Sequence, residues 1–383
     1  MNTKNTFRYE IIDTRAGLQN LAKALEKEKA VAVDLEADSM YHFKEKVCLV
    51  QLAARDFNAV IDPLQIRDLS ALKPVFRCSG IQKVFHGADY DVRSLFRDFQ
   101  ITINNLFDTQ LACRFLGCTQ TGLEAVLKKR YGVVLDKKYQ RKDWSSRPLS
   151  PEMTAYAAAD VQHLLPLAQS LQGELKAKGR LVWVYEECEY LSQVRPPTGD
   201  VKPLFLNFKG AGQLVPRSLS VLEALLQYRR QVAQRKDKPL FRIISNKSLM
   251  KLAEIKPLNL ETLEKTKALS PQQISMYGEQ IVVAIKRAMK IPAKALPVYP
   301  REIAPAVSAA VAKRVKALKS WRDKRAKKLE IDPSLLCTKA LITTLASRRP
   351  LNLRSLNRIH AMKKWQREEF GQEIVDILRH IPS

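Results

Sequence analysis

VAVDLEAD, at residues 31–38, predicts a buried β-strand that ends in two carboxylates. The apolar run suits the interior of a sheet, and Asp34 and Glu36, two positions apart, project from the same side of an extended chain. An acidic pair at the end of a strand is equally typical of a solvated turn. The stretch therefore predicts a strand and leaves open whether its carboxylates form a site.

Two later segments also place polar side chains beside apolar runs. In VFHGADYDV (84–92) a strand-like run breaks at Gly87, and an aspartate such as Asp91 after that break most commonly caps a helix. In YAAADV (156–161) the alanines favour a helix that places Tyr156 and Asp160 on one face, where a simple surface contact is the ordinary alternative. Each segment is ambiguous by itself, but the three in this order predict one shared site.

Four carboxylates and one phenol predict a site that holds two divalent metal ions against a phosphodiester. Phosphate is anionic, so the carboxylates would repel it unless cations lay between them. Mg²⁺ and Mn²⁺, which prefer oxygen ligands, suit this role. Two such ions about 3.5–4 Å apart together activate the attacking water and stabilise the leaving oxygen.

The motifs resemble the DEDD superfamily of 3′–5′ exonucleases, specifically its tyrosine branch and, within it, the ribonuclease D family. Asp34-Leu35-Glu36 closes a strand and is followed by a second strand, VCLVQLA (47–53). His86 to Asp91 matches the second motif, and Tyr156 to Asp160 matches the third. The histidine branch would place a histidine where this chain has Ala155, so the resemblance is to the tyrosine branch.

Intervening segments extend this resemblance over roughly residues 5–175. FDTQLACRFLG (107–117) and RKDWSSRPLSPEM (141–153) are similar to the same family. From residue 37 onward the chain reads ADSMYHFKEK, where some bacterial members have a phenylalanine and an arginine-rich stretch. We expect that departure to affect the rim of the site and the substrate preference.

The resemblance implies an α/β ribonuclease H-like exonuclease domain, with a mixed sheet flanked by helices. It implies that Asp34, Glu36, Asp91 and Asp160 hold the two metal ions, with Asp34 the candidate to bridge them. Tyr156 would orient the attacking water, because a phenol with a pKa near 10 is protonated at neutral pH and positions water rather than fully abstracting its proton. The implied substrates are the 3′ trailers of transfer RNA precursors and other small structured RNAs. Their hydrolysis would release nucleoside 5′-monophosphates.

Length and composition indicate a soluble multidomain protein. The 383 residues leave room for two or three domains, and 46% of them are hydrophobic. No uninterrupted apolar run reaches the roughly 18 residues of a membrane span, and the first residues, MNTKNTFRYEIID, lack the apolar centre of a signal peptide. The six cysteines are scattered without zinc-ligand spacing and predict reduced thiols. We therefore expect a cytoplasmic monomer with no structural zinc and no membrane partner.

Positive charge is concentrated in the second half of the chain. The whole chain has 65 Lys+Arg and 39 Asp+Glu, a net charge of +26. Residues 201–383 hold 37 basic and 14 acidic residues, which leaves the first 200 residues nearly neutral. A solvated basic face is the ordinary alternative, but this excess favours contact with a nucleic-acid backbone.

An internal repeat organises that basic half. PLNL at 257–260 recurs at 350–353, and the same shift of 93 residues superposes Tyr228-Arg229 on Trp321-Arg322. Two copies of one small helical bundle are predicted, and both resemble the helicase-and-ribonuclease-D C-terminal (HRDC) domain. The predicted domains are an exonuclease domain at 1–176, a connector at 177–210, a first helical domain at 211–291, a linker at 292–306 and a second helical domain at 307–383. Rigid protein-contact modules are the alternative interpretation of the repeat.

The basic stretch 312–328 is the predicted RNA-contacting surface, with a weaker equivalent in the first copy. Trp321 and its counterpart Tyr228 could stack on a base, but aromatic residues at a repeated helical position predict core. The candidate nucleic-acid-binding residues are Lys313, Arg314, Lys316, Arg322, Lys324, Arg325, Arg229 and Arg230.

Three functions are compatible with these motifs. A 3′–5′ exoribonuclease accounts for the five site residues and the basic half, and a 3′–5′ exodeoxyribonuclease of the repair type would use the same metal chemistry. A non-catalytic nucleic-acid-binding protein on an exonuclease fold would be expected to have lost a metal carboxylate, and none is missing. RNA is favoured on the resemblance, and the 2′-hydroxyl is the feature that separates the first two functions.

Overall fold

A computed structural model describes residues 8–197, 203–300 and 308–381. Parts of the predicted connector (198–202), of the predicted linker and second helical domain (301–307) and both chain ends lie outside the described residues. The chain forms two compact units. The first combines the residues up to Ala37, Val47–Pro196 and the C-terminal part, whereas the second combines Asp38–Lys46 with the residues between 197 and 304.

A six-stranded mixed sheet forms the centre of the first unit, as predicted. The strands are β1 (Glu10–Ile12), β2 (Ala30–Ala37), β3 (Val47–Ala53), β4 (Asn58–Ile61), β5 (Gln82–Phe85) and β6 (Leu106–Asp108), in the order β1-β4-β3-β2-β5-β6. The pairs β2–β3 and β3–β4 are antiparallel, and the other pairs are parallel. The short strand β1 precedes the first helix. Three residues carry too little periodicity to indicate a strand.

Nine helices surround this sheet in the described part of the exonuclease region. They are α1 (Arg15–Leu25), α2 (Pro63–Ile66), α3 (Lys73–Arg77), α4 (Asp89–Phe99), α5 (Thr109–Phe115), α6 (Leu123–Tyr131), α7 (Pro151–Gln162), α8 (Leu164–Ala177) and α9 (Leu181–Ser192). Helix α9 lies inside the segment predicted as a connector. It is ordered by burial of Trp183, Val184 and Cys188, so the connector begins only after it. No helix in the described ranges combines the length and apolarity that a membrane span requires.

The two predicted helical bundles are confirmed. The first copy contains α10 (Pro216–Lys236), α11 (Leu240–Ile243), α12 (Asn246–Ile255), α13 (Leu260–Lys265) and α14 (Pro271–Met289). The second contains α15 (Ala309–Leu329), α16 (Pro333–Leu336), α17 (Lys339–Arg348), α18 (Leu353–Leu356) and α19 (Lys364–Arg379). Each helix of the second copy begins 93 residues after its counterpart, so the sequence repeat is a structural repeat.

The two copies bury their apolar residues differently. The first copy has a core of its own within the second unit, centred on residues such as Leu222, Leu252 and Ile281. The core of the second copy is continuous with that of the exonuclease region. There the rings of Trp183 and Trp365 stack with centroids 4.8 Å apart. The second copy is therefore packed against the exonuclease fold rather than attached only through a linker.

Backbone groups also contribute to the interface between the exonuclease region and the second copy. Arg180 Nη2 donates to the carbonyl of Leu329 at 2.8 Å. Gly117 has a φ of +87°, and a Cβ at that position would lie 2.2 Å from the carbonyl oxygen of Glu330. Only glycine permits both the backbone conformation and so close an approach.

Candidate active site

The structure brings together the five residues that the motifs predicted. Asp34 and Glu36 lie on the central strand β2, Asp91 lies in the first turn of α4, and Tyr156 and Asp160 lie one turn apart on α7. The pKa of Glu36 is raised well above its ordinary value by burial, and then by the negative charges of Asp34, Asp160 and Asp91. Each carboxylate motif therefore lies within electrostatic reach of the others.

Each of the four carboxyls in this cluster has a raised pKa. The pKa of Asp34 is raised to about 6, mainly by burial, and that of Asp160 to about 8 by burial and then by Asp34. The pKa of Asp91 is raised well above its ordinary value, first by burial and then by Asp34. Four such groups cannot all be ionised at neutral pH unless positive charge compensates them.

The donor chemistry of the cluster fits hard divalent cations. Four carboxylates offer the oxygen ligands that Mg²⁺ and Mn²⁺ prefer. Within the described ranges, no three His, Cys, Asp or Glu side chains are arranged to hold a metal ion as they stand. The cluster therefore has the negative charge and the oxygen ligands that divalent cations require, and its side chains do not form a closed coordination shell.

Gln51 is a polar residue at this site that the sequence reasoning missed. It lies directly opposite Asp34 in the β2–β3 ladder and is fully buried. Neither its amide nitrogen nor its amide oxygen has a hydrogen-bond partner among the described residues. Buried amides are ordinarily bonded, so this orphaned pair beside Asp34 marks a place for a further polar group. A polar residue in the otherwise apolar VCLVQLA was the available signal.

Tyr156 packs against two other aromatic rings. Its centroid lies 6.0 Å from that of Trp144, with the planes tilted by 31°, and 5.9 Å from that of Tyr139. Burial, and then the negative charge of Asp160, raises the pKa of the Tyr156 phenol. The hydroxyl therefore stays protonated at neutral pH and acts as a hydrogen-bond donor.

A cavity of about 370 Å³ opens beside these residues. Its lining includes Asp34, Tyr156 and Asp160 together with residues 122–125, residues 135–137 and Gln140. The cavity is large enough for a nucleotide-sized group next to the carboxylates.

Asp108 fixes the turn that leads to Asp91. Its carboxylate accepts hydrogen bonds from the backbone of Gly87 at 3.0 Å and Ala88 at 2.8 Å, and it also caps α5. Gly87 has a φ of +84°, and a Cβ there would meet the side chain of Gln110 at 3.1 Å. This turn sets the start of α4, so Asp108 controls where Asp91 lies. An aspartate immediately before Thr109 was an N-cap signal in the sequence.

His86 also lines this cavity and is bonded to the segment before α6. Its Nε2 lies 2.8 Å from the carbonyl oxygen of Thr121, which can only accept, so that nitrogen carries a proton. Its Nδ1 lies 2.9 Å from the hydroxyl of Thr109. Burial lowers the pKa of the imidazole. The motif histidine is therefore a neutral side chain that positions the cavity wall.

Two of the predicted RNA-contacting arginines lie in the interior. Arg229 is 6% exposed and donates to the carbonyl of Ile244 at 3.0 Å, and Arg314 is 5% exposed and donates to the carbonyl of Ala346 at 2.7 Å. Arg322 repeats the Arg229 contact in the second copy, donating to the carbonyl of Cys337 at 3.3 Å. The arginine at this repeated position therefore has a structural role, because its guanidinium bonds a backbone carbonyl elsewhere in its own bundle. Because Arg229 and Arg314 are buried, neither belongs to the candidate RNA-binding surface.

The other basic candidates differ in their exposure and in their ion pairing. Arg325 is paired with Glu373, and Arg230 is only partly exposed. Trp321 donates to Glu373 at 2.7 Å and packs edge-on against Phe370, and Tyr228 packs against the first core, so both aromatic residues are core elements. Lys313, Lys316 and Lys324 are exposed.

Three further lysines extend this set on α15. We define the α15 lysine face as the exposed residues Lys313, Lys316, Lys319, Lys324, Lys327 and Lys328. None of them takes part in the ion pairs found among the described residues. The first copy has Ser220, Glu223, Leu226, Gln231, Gln234 and Arg235 at the corresponding positions. The lysine face therefore belongs to the second copy.

Comparison with known proteins identifies related families over most of the chain. A 3′–5′ exonuclease family matches residues 9–176, and the HRDC domain matches residues 218–285 and 311–378. Ribonuclease D of Escherichia coli is 30% identical over 290 residues, which cover 76% of this chain and 77% of that protein. Ribonuclease D of Acidiphilium cryptum is 31% identical over 370 residues, which cover 95% and 91%.

A solved structure extends the similarity to the whole fold. The crystal structure of Escherichia coli RNase D, described as an exoribonuclease involved in structured RNA processing, matches with a TM-score of 0.74 at 27% identity. The match covers 98% of this chain and 100% of that one.

Proposed function

The chain belongs to the ribonuclease D family and is a 3′–5′ exoribonuclease, and we propose that it removes nucleotides from single-stranded 3′ ends by two-metal-ion hydrolysis. The products of this reaction are nucleoside 5′-monophosphates. The observation that carries the proposal is the partly buried cluster of Asp34, Glu36, Asp91 and Asp160, in which the charge of Asp34 adds to burial in raising the pKa of the other three carboxyls, beside a protonated Tyr156.

The four carboxylates would hold two divalent ions, and the charge of Asp34 acts on each of the other three carboxyls. Such ions, when bound, activate the attacking water and neutralise charge on the phosphate. The Tyr156 hydroxyl, which is hydrogen-bonded to Asp160, would orient the attacking water. Its raised pKa keeps the phenol protonated, which favours this positioning role over proton abstraction.

The α15 lysine face supports an RNA substrate longer than the cavity. A phosphate backbone is the partner that a row of exposed lysines fits, since each contact releases counterions. Trp183 and Trp365 pack the second copy against the exonuclease region, which holds this face at a fixed place relative to the cavity. We propose that RNA upstream of the scissile bond binds there.

The proposed substrates are the 3′ trailers of transfer RNA precursors and other small structured RNAs. This assignment is consistent with the described role of the Escherichia coli protein in structured RNA processing. Preference for RNA over DNA would come from contacts to the 2′-hydroxyl within the cavity.

Hydrolysis of matched RNA and DNA oligonucleotides in Mg²⁺, Mn²⁺ or chelator tests the proposal. We expect cleavage of RNA from the 3′ end, no cleavage in chelator, and a fall of about a thousandfold or more in kcat for Asp34→Asn and Asp160→Asn. Asp56→Asn, at an exposed position away from the cluster, is the matched control. Near-normal turnover by either folded cluster variant would overturn the metal assignment, and a preference for DNA would favour the exodeoxyribonuclease alternative.

A further inference from the structure

We propose that Arg147 is a positioning residue for Tyr156, acting through the loop Tyr139–Arg147. The inference rests on the proposed role of Tyr156 in orienting the attacking water. Arg147 touches neither the carboxylate cluster nor the cavity lining among the described residues, so its effect would be indirect.

The guanidinium of Arg147 connects this loop to the sheet where β4 ends and β3 begins. Its Nε donates to Asp62 Oδ2 at 2.6 Å and its Nη2 to Asp62 Oδ1 at 2.8 Å. Nη2 also donates to the carbonyl of Cys48 on β3 at 3.0 Å. Asp62, directly after β4, in turn caps α2 through the backbone N–H groups of Leu64 and Gln65. Both sides of the ion pair are therefore fixed to regular secondary structure.

The same guanidinium holds the loop itself in shape. Nη1 donates to the carbonyl oxygens of Trp144 and Ser146, both at 2.8 Å. All of these partners accept and none donates, so the site requires the planar set of donors that only arginine has. A lysine there would keep the charge but could not satisfy these acceptors together.

The loop carries the two rings against which Tyr156 packs. Trp144 is 1% exposed, with its centroid 6.0 Å from that of Tyr156, and Tyr139 is 5.9 Å away on the same loop. Trp144 is only three residues from Arg147, so a shift of the anchored backbone moves the ring directly. Fixing the loop thus fixes the rings that orient the phenol.

A double-mutant cycle between Arg147→Lys and Tyr156→Phe tests this coupling. Turnover of a short single-stranded RNA would be measured for the wild type, both single variants and the double variant, with kcat and KM determined separately. We expect Arg147→Lys to lower kcat about ten- to a hundredfold with little change in KM, because misplacement by a fraction of an ångström costs catalysis rather than binding. In the Tyr156→Phe background the same change should cost less than about threefold.

Two further variants separate positioning from general destabilisation. Arg130→Lys disrupts a comparable ion pair, that of Arg130 with Glu174, which lies in the same domain without contacting the loop, and should leave kcat unchanged. Asp62→Asn weakens the anchor from the other side and should reproduce the Arg147→Lys effect, which keeps the test valid if the arginine variant fails to fold. The intrinsic fluorescence, to which Trp144 contributes with three other tryptophans, should differ from the wild type in both anchor variants and not in the Arg130 control, in which all four tryptophans keep their surroundings.

Additive losses in the cycle, an unchanged kcat in Arg147→Lys, or an equal loss in the Arg130 control would each overturn the inference. A Tyr156→Phe variant with wild-type kcat would instead refute the proposed role of Tyr156 itself. The two failures are therefore distinguishable.

Discussion

Neutralising one face of α15 should flatten the salt dependence of RNA binding. Lys313, Lys316, Lys324 and Lys327 follow the three- and four-residue spacing of one helical face, and all are exposed. Each phosphate contact to a single strand contributes about 0.7 to the slope of log affinity against log salt, so replacing all four by glutamine lowers the slope by up to about 2.8. A rise from about 50 to about 200 mM salt should then weaken wild-type binding about fiftyfold more than variant binding.

Fluorescence anisotropy with a labelled single-stranded RNA, titrated at several KCl concentrations, measures this slope. The control replaces four exposed lysines of the first copy, Lys247, Lys251, Lys286 and Lys290, and removes the same net charge. If long-range attraction alone governed binding, both variants would lose affinity equally. An unchanged slope in the α15 variant, or equal slopes in the two variants, would refute the assignment of RNA contacts to this face.

Two further predictions concern stability. Both carboxylate oxygens of Glu186 accept from the first backbone N–H groups of α19, at 2.7 and 2.8 Å. Glu186→Ala should therefore lower the free energy of unfolding, measured by urea denaturation, by about 1–3 kcal/mol. The nearby control Glu189→Ala should change it by less than about 0.5 kcal/mol. Burial lowers the pKa of Lys83 from 10.5 to about 8, so the unfolded chain binds more protons between these values. The wild-type stability should rise through that pH window by about 3 kcal/mol relative to Lys83→Met, and parallel profiles would contradict this origin of the shift.

The packing of the second copy determines what truncation of the chain does to the stability of the exonuclease region. Because all five site residues precede residue 161, the sequence suggests that a chain ending near residue 208 keeps its activity. In the structure Trp183 and Phe115 pack against Trp365, with Phe115 and Trp365 centroids 5.7 Å apart. Truncation would expose this apolar face, so we expect the shortened exonuclease region to be less stable than the intact protein.

The sequence alone determined the features that depend on local spacing. Asp34 and Glu36 two apart on a strand, and Tyr156 and Asp160 four apart on a helix, share a face whatever surrounds them. The repeat was equally readable, because a constant shift of 93 residues preserves every helical period.

The tertiary structure alone decided which side chains contact each other across long stretches of chain. Composition marked Arg229 and Arg314 as candidates for RNA contact, yet burial against distant carbonyls makes them structural. Spacing also could not indicate that Arg147 bonds Asp62, 85 residues away, or that Trp365 stacks on Trp183. Local sequence fixes the direction of a side chain relative to its own helix or strand. The environment that it meets depends on how separate elements pack, and that packing determines whether a charge is solvated, paired or buried.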